Sequence, residues 1–543
     1  MKQPHIIIIN PDEMRADSIG HLGAPVPVTP HLDTFAQNEA VSFSNAFCQN
    51  PVCVPSRCSF FTGLYPHVHG HRTMTHLLHE HESSLFSELK NAGYYVWMNS
   101  RNDLIAGQID GLDEKHADEV YYYDKTKPAP PMPIPDPSRL AAMGRGKQAP
   151  FPYLHFKGAG PEYKNIDLED TLAACDRILH PVQPEKPLCL FLGWTNPHPP
   201  YMVPQEYRDR VNAAALAPRI KYSETQNKSR IIGSLRELTD GCNFPEEQWT
   251  ELRAVYQAQC AMVDDMFGMV CNALKQAGIY DDSAIFFLSD HGDFCGDYDL
   301  PEKAQNTFEH CLTRVPLLIK PPKGCTVDAG ISASLTELVD FYATVMDYAG
   351  VQPEHSHFGK SLRPVIENRG EKIRRYVFCE GGRNAGEEHC DEWHSCGPEG
   401  PKPGNDYWAR RTAQKEDAAH TKGTMIFDGR YKYIHRAAGP DEFYDLVRDP
   451  GERINCIENA DSLKLAGLRS AMMDWYQQTN DVVPFRFDSR FTAERIWTAV
   501  RAFVPPEEEE RYRAAIKGKE IMEAIQICIR MRMASAKRES TTT

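Results

Sequence analysis

The chain has 543 residues, 41% of them hydrophobic and 25% charged. At roughly 100–200 residues per domain this length allows two to four domains, with enough apolar material that no disulfide or metal staple is needed for folding. The formal charge of −15 argues against a nucleic-acid or anionic-membrane surface, so a site for an anionic substrate has to build its own positive field.

The N-terminus enters the apolar run Ile6-Ile7-Ile8-Ile9 at once. That run is too short for a signal-peptide core or a membrane span, and no cleavage site follows. The 16 cysteines are scattered without a framework spacing. Such usage suits a reducing compartment, and the expected location is cytoplasmic.

Four segments share one grammar, an apolar run followed by a polar loop. They are Ile6–Ile9 with Asn10-Pro11-Asp12-Glu13, Tyr94–Met98 with Asn99-Ser100-Arg101-Asn102-Asp103, Leu188–Leu192 with Gly193-Trp194-Thr195-Asn196-Pro197-His198, and Ala284–Leu288 with Ser289-Asp290-His291-Gly292-Asp293. Continuous apolar runs of this length fit strands buried on both faces. Helical patterns lie between them, at Leu85–Ala92, Leu168–Leu179 and Trp249–Ala277. The fold class expected is α/β, a large, mostly parallel or mixed sheet flanked by helices over residues 1–375. In such sheets ligands sit beyond the carboxyl ends of the strands, where these polar groups fall.

The proline-dense stretch 124–152 reads as a pocket wall, and Ser334–Gly350 as an amphipathic helix stopped by glycine. From residue 376 the character changes. A strand at Arg375–Cys379, a polar loop from Gly381 to about Thr421, and a hairpin across Asp428-Gly429 suggest an antiparallel subdomain over 376–485. A helix around Leu463–Gln478 finishes it, and 486–543 forms a helical extension that leaves a homo-oligomer open.

Two groups carry chemistry. Asp12, Glu13, Asp290 and His291 put three carboxylates and an imidazole on one sheet edge, a set that can hold a divalent cation. Its oxygen donors place Ca2+ first, with Mg2+ and, because of His291, Mn2+ as alternatives. The second group is Cys53-Val54-Pro55-Ser56-Arg57, at what reads as a helix start. Open backbone N–H groups and a fixed cation there favour either a thiolate or an anionic substrate beside Cys53. A phosphotyrosine-phosphatase loop is excluded, because its cysteine and arginine stand further apart than the three residues between Cys53 and Arg57. The alternative is a small buried apolar cysteine. His389, Cys390, His394 and Cys396 match no standard zinc spacing and read as a substrate-pocket loop.

Cys53-Val54-Pro55-Ser56-Arg57 followed by Phe61-Thr62-Gly63-Leu64-Tyr65-Pro66-His67 resembles the type I sulfatase signature, in the alkaline-phosphatase-like superfamily. Asp12-Glu13, Asn196-Pro197-His198-Pro199-Pro200-Tyr201, Asp290-His291, Lys303 and Asp441–Glu452 resemble further motifs of that family, in the same order. The resemblance implies that Cys53 is oxidised to formylglycine by a maturation enzyme and contributes, with Asp12, Glu13, Asp290 and His291, to the metal site. It implies catalytic roles for Arg57, His198 and Lys303, and a small-molecule sulfate ester, on a sugar or an aryl or steroid scaffold, as substrate.

The chain departs from the family pattern in two places. Glu13 stands where an aspartate is common. Ser100-Arg101-Asn102-Asp103 replaces a Gly-Lys-Trp-His run, so Arg101 is expected to supply the positive charge and Asp103 to act on specificity. His71, just past the signature, is a further substrate-contact candidate together with His69, the alternative for both being loop packing. A phosphonate or phosphate ester hydrolase and a non-catalytic metal- or thiol-binding protein are the competing readings.

Overall fold

The computed structural model describes residues 3–123, 165–239, 241–392, 407–485 and 490–539. The proline-dense wall therefore lies outside the described residues from 124 onward, as do Trp393, His394 and Cys396. Two compact units emerge, Met1–Gln352 with His357–Asp481, and Pro353–Ser356 with Val482–Thr543.

The first unit is built on a nine-stranded mixed sheet. Its strands are β1 (His5–Asp12), β2 (Val41–Phe47), β3 (Tyr95–Asn99), β4 (Glu119–Tyr121), β5 (Leu188–Pro197), β6 (Ser283–Leu288), β7 (Arg314–Val315), β8 (Leu317–Lys320) and β9 (Gly330–Glu337). The order is β4-β3-β5-β1-β6-β8-β2-β7, with β9 paired to β2. The four segments singled out in the sequence are β3, β5, β1 and β6, side by side and parallel. Antiparallel pairing enters with β8, against both β6 and β2.

Alternation along β1 explains why its isoleucine run has no polar side. Ile6 and Ile8 join one core, and Ile7 and Ile9 the other. Helix α1 (Cys53–Thr62) covers the first face with Phe60 and Phe61. The opposite face is covered by α2 (Ile166–Leu179) and α3 (Glu246–Gln276), the latter through residues such as Val263, Phe267 and Leu274. Helix α4 (Val339–Ala349) returns to the first face, with Phe341 edge-on to Phe286. The helix expected from Ser334 therefore begins five residues later. Ser334–Glu337 belong to β9, whose parallel pairing with β2 overrides the helical pattern, while Gly350 caps the helix at φ 65° as expected.

A separate four-stranded antiparallel sheet holds β10 (Val377–Gly381), β11 (Gly423–Phe427), β12 (Tyr431–Arg436) and β13 (Glu442–Asp445). Asp428 makes the expected turn, its carboxylate accepting from the Arg430 and Tyr431 amides at 3.0 and 2.7 Å. One face packs on helix α5 (Ser462–Thr479), where Trp475 stacks on Phe378 at 4.5 Å. The second unit contains α6 (Ala493–Val500), α7 (Glu509–Ile516) and α8 (Ile521–Glu539) around Ile496, Trp497, Tyr512 and Cys528. Among the described residues no helix is long and apolar enough to cross a membrane.

Candidate active site

Because β3, β5, β1 and β6 run parallel and adjacent, the loops leaving their carboxyl ends open on one edge of the sheet. β1 delivers Asp12 and Glu13, and the loop after β3 delivers Arg101 and Asp103. His198 follows β5, and Asp290 and His291 follow β6. Helix α1 begins at Cys53, preceded by Val52, which offers no side-chain cap. Ser56, inside the first turn and a half of the helix, donates its hydroxyl to the Asp290 carbonyl at 2.7 Å, tying the helix start to the loop after β6.

Cys53 Sγ lies 3.3 Å from Asp12 Oδ1 and 3.1 Å from His291 Nε2. Asp12, Cys53, Asp290 and His291 are buried, and each turns a potential ligand atom into a cluster spanning no more than 4.8 Å. His291 Nδ1 faces the Gly292 carbonyl at 2.9 Å; a carbonyl only accepts, so Nδ1 carries the proton and Nε2 offers its lone pair to the cluster. The donor set suits a divalent cation.

Arg57 is fully buried and divides its guanidinium three ways. Nε donates to Asp290 Oδ2 at 2.8 Å, Nη2 to Asp12 Oδ2 at 3.0 Å and Nη1 to the Arg101 carbonyl at 2.8 Å. Arg101 Nη2 donates to the same Asp12 oxygen at 2.6 Å, which leaves Oδ1 to face Cys53. Gly193 makes this approach possible, because a Cβ there would overlap the Arg101 carbonyl oxygen. Asp103 Oδ2 stands 3.7 Å from Arg57 Nη1.

Glu13 lies outside the Cys53 group but offers a ligand atom within 4.8 Å of Asp12 and His198, a second set that could hold a metal ion. At φ 67° its amide donates to Asp290 Oδ1 at 3.1 Å while its carboxylate meets Lys303 Nζ at 2.7 Å and lies 3.6 Å from His198 Nε2. The sequence places it among the metal ligands; Lys303 meets Oε2, and Oε1 is buried without a hydrogen-bond partner. His71 is not brought to Cys53 either, its nitrogens facing Glu82 and the His76 carbonyl.

Burial, followed by the Asp12 charge, pushes the Cys53 thiol well above its ordinary range. Burial also works to raise Asp12, but Arg101 and Arg57 outweigh it and hold that carboxyl well below the usual range. Burial and then the Lys303 charge lower His198, and burial lowers His291, so both imidazoles are biased towards the neutral form. Lys303 is held the other way: burial opposes its charge, but Cys53, Glu13 and Glu302 keep its ammonium protonated well above the ordinary lysine range.

Further residues position these groups. Tyr256, mid-way along α3, donates to the Glu13 carbonyl and accepts from the Arg15 amide, both at 2.8 Å. Tyr201 donates to Asp293 and accepts from the Glu302 amide, also at 2.8 Å, so it links the loop after β5 to the one carrying Lys303. Ser289 was legible only as a neighbour of Asp290; its hydroxyl accepts from the Met14 amide and donates to the Pro11 carbonyl, each at 2.8 Å.

Comparison with known proteins agrees with this architecture. The choline-sulfatase of Rhizobium meliloti is 26% identical over 480 residues, covering 84% of this chain and 83% of that protein. The multifunctional alkaline phosphatase superfamily protein PehA of Trinickia caryophylli is 25% identical over 507 residues, covering 84% and 91%. Among solved structures, the phosphonate monoester hydrolase of Agrobacterium radiobacter shares the fold at a TM-score of 0.67 and 21% identity, covering 89% of this chain and all of that one. The sequence profile of the family described as Sulfatase matches residues 4–351, the stretch that holds Asp12, Cys53, Arg57, His198, Asp290 and Lys303. The chain belongs to the sulfatase family.

Proposed function

We propose that this protein hydrolyses a sulfate monoester, using a formylglycine hydrate derived from Cys53 and a divalent cation held by Asp12, Asp290, His291 and the residue-53 side chain. The observation that carries the reading is the position of Cys53, the first residue of α1, within 3.1–3.3 Å of two donors of a metal-ligand set and beside the Arg57 and Arg101 cations. A thiol pushed upward by burial and by Asp12 is a poor thiolate nucleophile, which supports its serving as the precursor of an aldehyde.

In the proposed reaction one hydroxyl of the hydrate attacks sulfur, the bond from sulfur to the ester oxygen breaks, and the alcohol leaves with a proton. The second hydroxyl then loses its proton as the carbon–oxygen bond to sulfate breaks, which restores the aldehyde. A bound cation would acidify a hydroxyl and polarise sulfate oxygens. Arg57 orients the carboxylates, and Arg101, about a third exposed, is the arginine placed to meet the substrate. His198 Nδ1 faces the Pro199 carbonyl at 2.5 Å, so its Nε2 carries a lone pair, whereas Lys303 remains an ammonium. Lys303 is therefore the better proton donor to the leaving oxygen, and His198 Nε2 is placed to accept a hydrogen bond from the departing alcohol.

For the cation, Asp12, Asp290, His291 and the residue-53 oxygen keep Ca2+ first, with Mg2+ and, because of His291, Mn2+ as alternatives. A second reading, a phosphonate or phosphate ester hydrolase, is favoured by the likeness to the multifunctional PehA. Turnover of matched aryl sulfate and aryl phosphonate esters by the matured protein separates the two. Faster phosphonate turnover would overturn the sulfatase assignment. A panel of choline, sugar and aryl sulfates would then define the leaving group.

A further inference from the structure

Beyond the Cys53 site, one loop gathers histidines around a single buried carboxylate. The short helix Pro66–His69 ends at Gly70, whose φ of 80° turns the chain so that His69 and His71 both reach Glu82. His69 Nδ1 contacts Glu82 Oε1, and His71 Nε2 lies 3.1 and 2.9 Å from its two oxygens. His79 Nδ1 stands 3.5 Å from Oε2. Glu82 is 3% exposed at its side chain and His71 6%, while His69 is 33% exposed, which gives a path from solvent.

His71 Nδ1 faces the His76 carbonyl at 2.9 Å, which leaves Nε2 as the nitrogen turned toward Glu82. A backbone carbonyl on the far nitrogen is also the usual support of a metal-ligating histidine. Zinc bonds of about 2.0–2.1 Å in a tetrahedron put neighbouring donors ~3.3 Å apart, close to the separations around Glu82. Imidazole donors select zinc over Ca2+ or Mg2+.

We propose that His69, His71 and Glu82, whose ligand atoms all lie within 4.8 Å of one another, form a second metal site, for zinc, separate from the cluster at Cys53. The loop carrying it is tied to both sides of the active site. The Leu78 amide donates to the Leu104 carbonyl at 3.1 Å, just past Asp103, and Gln305, two residues after Lys303, donates to the Arg72 carbonyl. Zinc here would brace the loop against the segments that carry Arg101, Asp103 and Lys303.

The test uses the full chain, stripped of metal and titrated with Co2+ and then Zn2+, in the wild type and in an Asp290→Asn background that disables the Cys53 cluster. The expected result is one tight site in D290N, with the visible absorption of four-coordinate Co2+, displaced by Zn2+. Its affinity should fall at least tenfold in Glu82→Gln and in His69→Ala, the latter a partly exposed position whose truncation spares the core. Wild-type protein should carry one more equivalent of zinc than H69A. Absence of a tight site in D290N, affinity unchanged in both E82Q and H69A, or equal zinc content in wild type and H69A would overturn the proposal.

Discussion

Replacing Arg57 by alanine removes a guanidinium that donates to both Asp12 and Asp290 from a fully buried position. Arg101 still covers one Asp12 oxygen, but Asp290 loses its nearest arginine. Breaking a buried pair in this way costs about 3–5 kcal/mol, because the remaining charge has no solvent to turn to. With an unfolding entropy of ~2.1 cal/mol/K per residue, that corresponds to a fall of about 3–4 °C in Tm if the whole chain unfolds together.

A divalent cation bound by the same carboxylates would replace the missing positive charge. Scanning calorimetry of the metal-stripped, unmodified protein should therefore show R57A below the wild type, with added Ca2+ raising the midpoint of R57A more than that of the wild type. Arg101→Ala, at a side chain 32% exposed, should lose less. An R57A midpoint equal to that of wild type without metal, or a metal response no larger than wild type, would refute the view that Arg57 and the cation share the charge of Asp12 and Asp290.

Lys303→Ala should lower kcat of the matured enzyme on an aryl sulfate by about 100-fold or more, and Lys303→Arg should recover part of it, since Glu13 needs a cation as much as the leaving oxygen needs a proton. Equal activity of K303A and wild type would remove Lys303 from the chemistry. His116 is buried beside Ser84 Oγ at 2.7 Å, and burial lowers its pKa from 6.5 to about 4. Between those values the unfolded chain binds a proton that the folded one does not, so stability should fall as pH drops from about 6.5 to about 4, by up to ~3 kcal/mol. H116N should flatten that slope in urea titrations; an unchanged slope would contradict the assignment. In the unmodified protein at pH 8, iodoacetamide should label exposed Cys242 and Cys456 well before Cys53. Labelling of Cys53 as fast as Cys456 would restore the thiolate reading.

The parts of the fold that the sequence made legible are those where one physical demand dominates. Ile6–Ile9 and Ala284–Leu288 are apolar at every position because both sheet faces are covered, and the polar residues that follow them can only sit at the strand ends. By contrast β2 alternates only over Val41-Ser42-Phe43-Ser44 before Asn45 and Ala46 break the period, which confines its strand signal to four residues. Its neighbours β7 and β8 are too short to show a period. Within the site, residue types pointed to Asp12, Cys53, Arg57, Asp290 and His291, but not to which carboxylate each cation would choose. The pairing of Glu13 with Lys303 spans 290 positions and depends on the left-handed backbone at Glu13. Tyr256 had no legible role because mid-helix tyrosines are ordinarily core, and His69 and His71 read as substrate-contact or loop-packing residues because Glu82 joins them only in three dimensions.

The most direct test is peptide mass spectrometry at Cys53, coupled to sulfate release, on protein produced with and without a formylglycine-generating maturation enzyme. The expected result is a residue-53 aldehyde only with the enzyme, sulfate turnover that rises in proportion to the aldehyde fraction, and no turnover from Cys53→Ala. Full sulfatase activity from protein whose Cys53 remains a thiol would contradict the central claim.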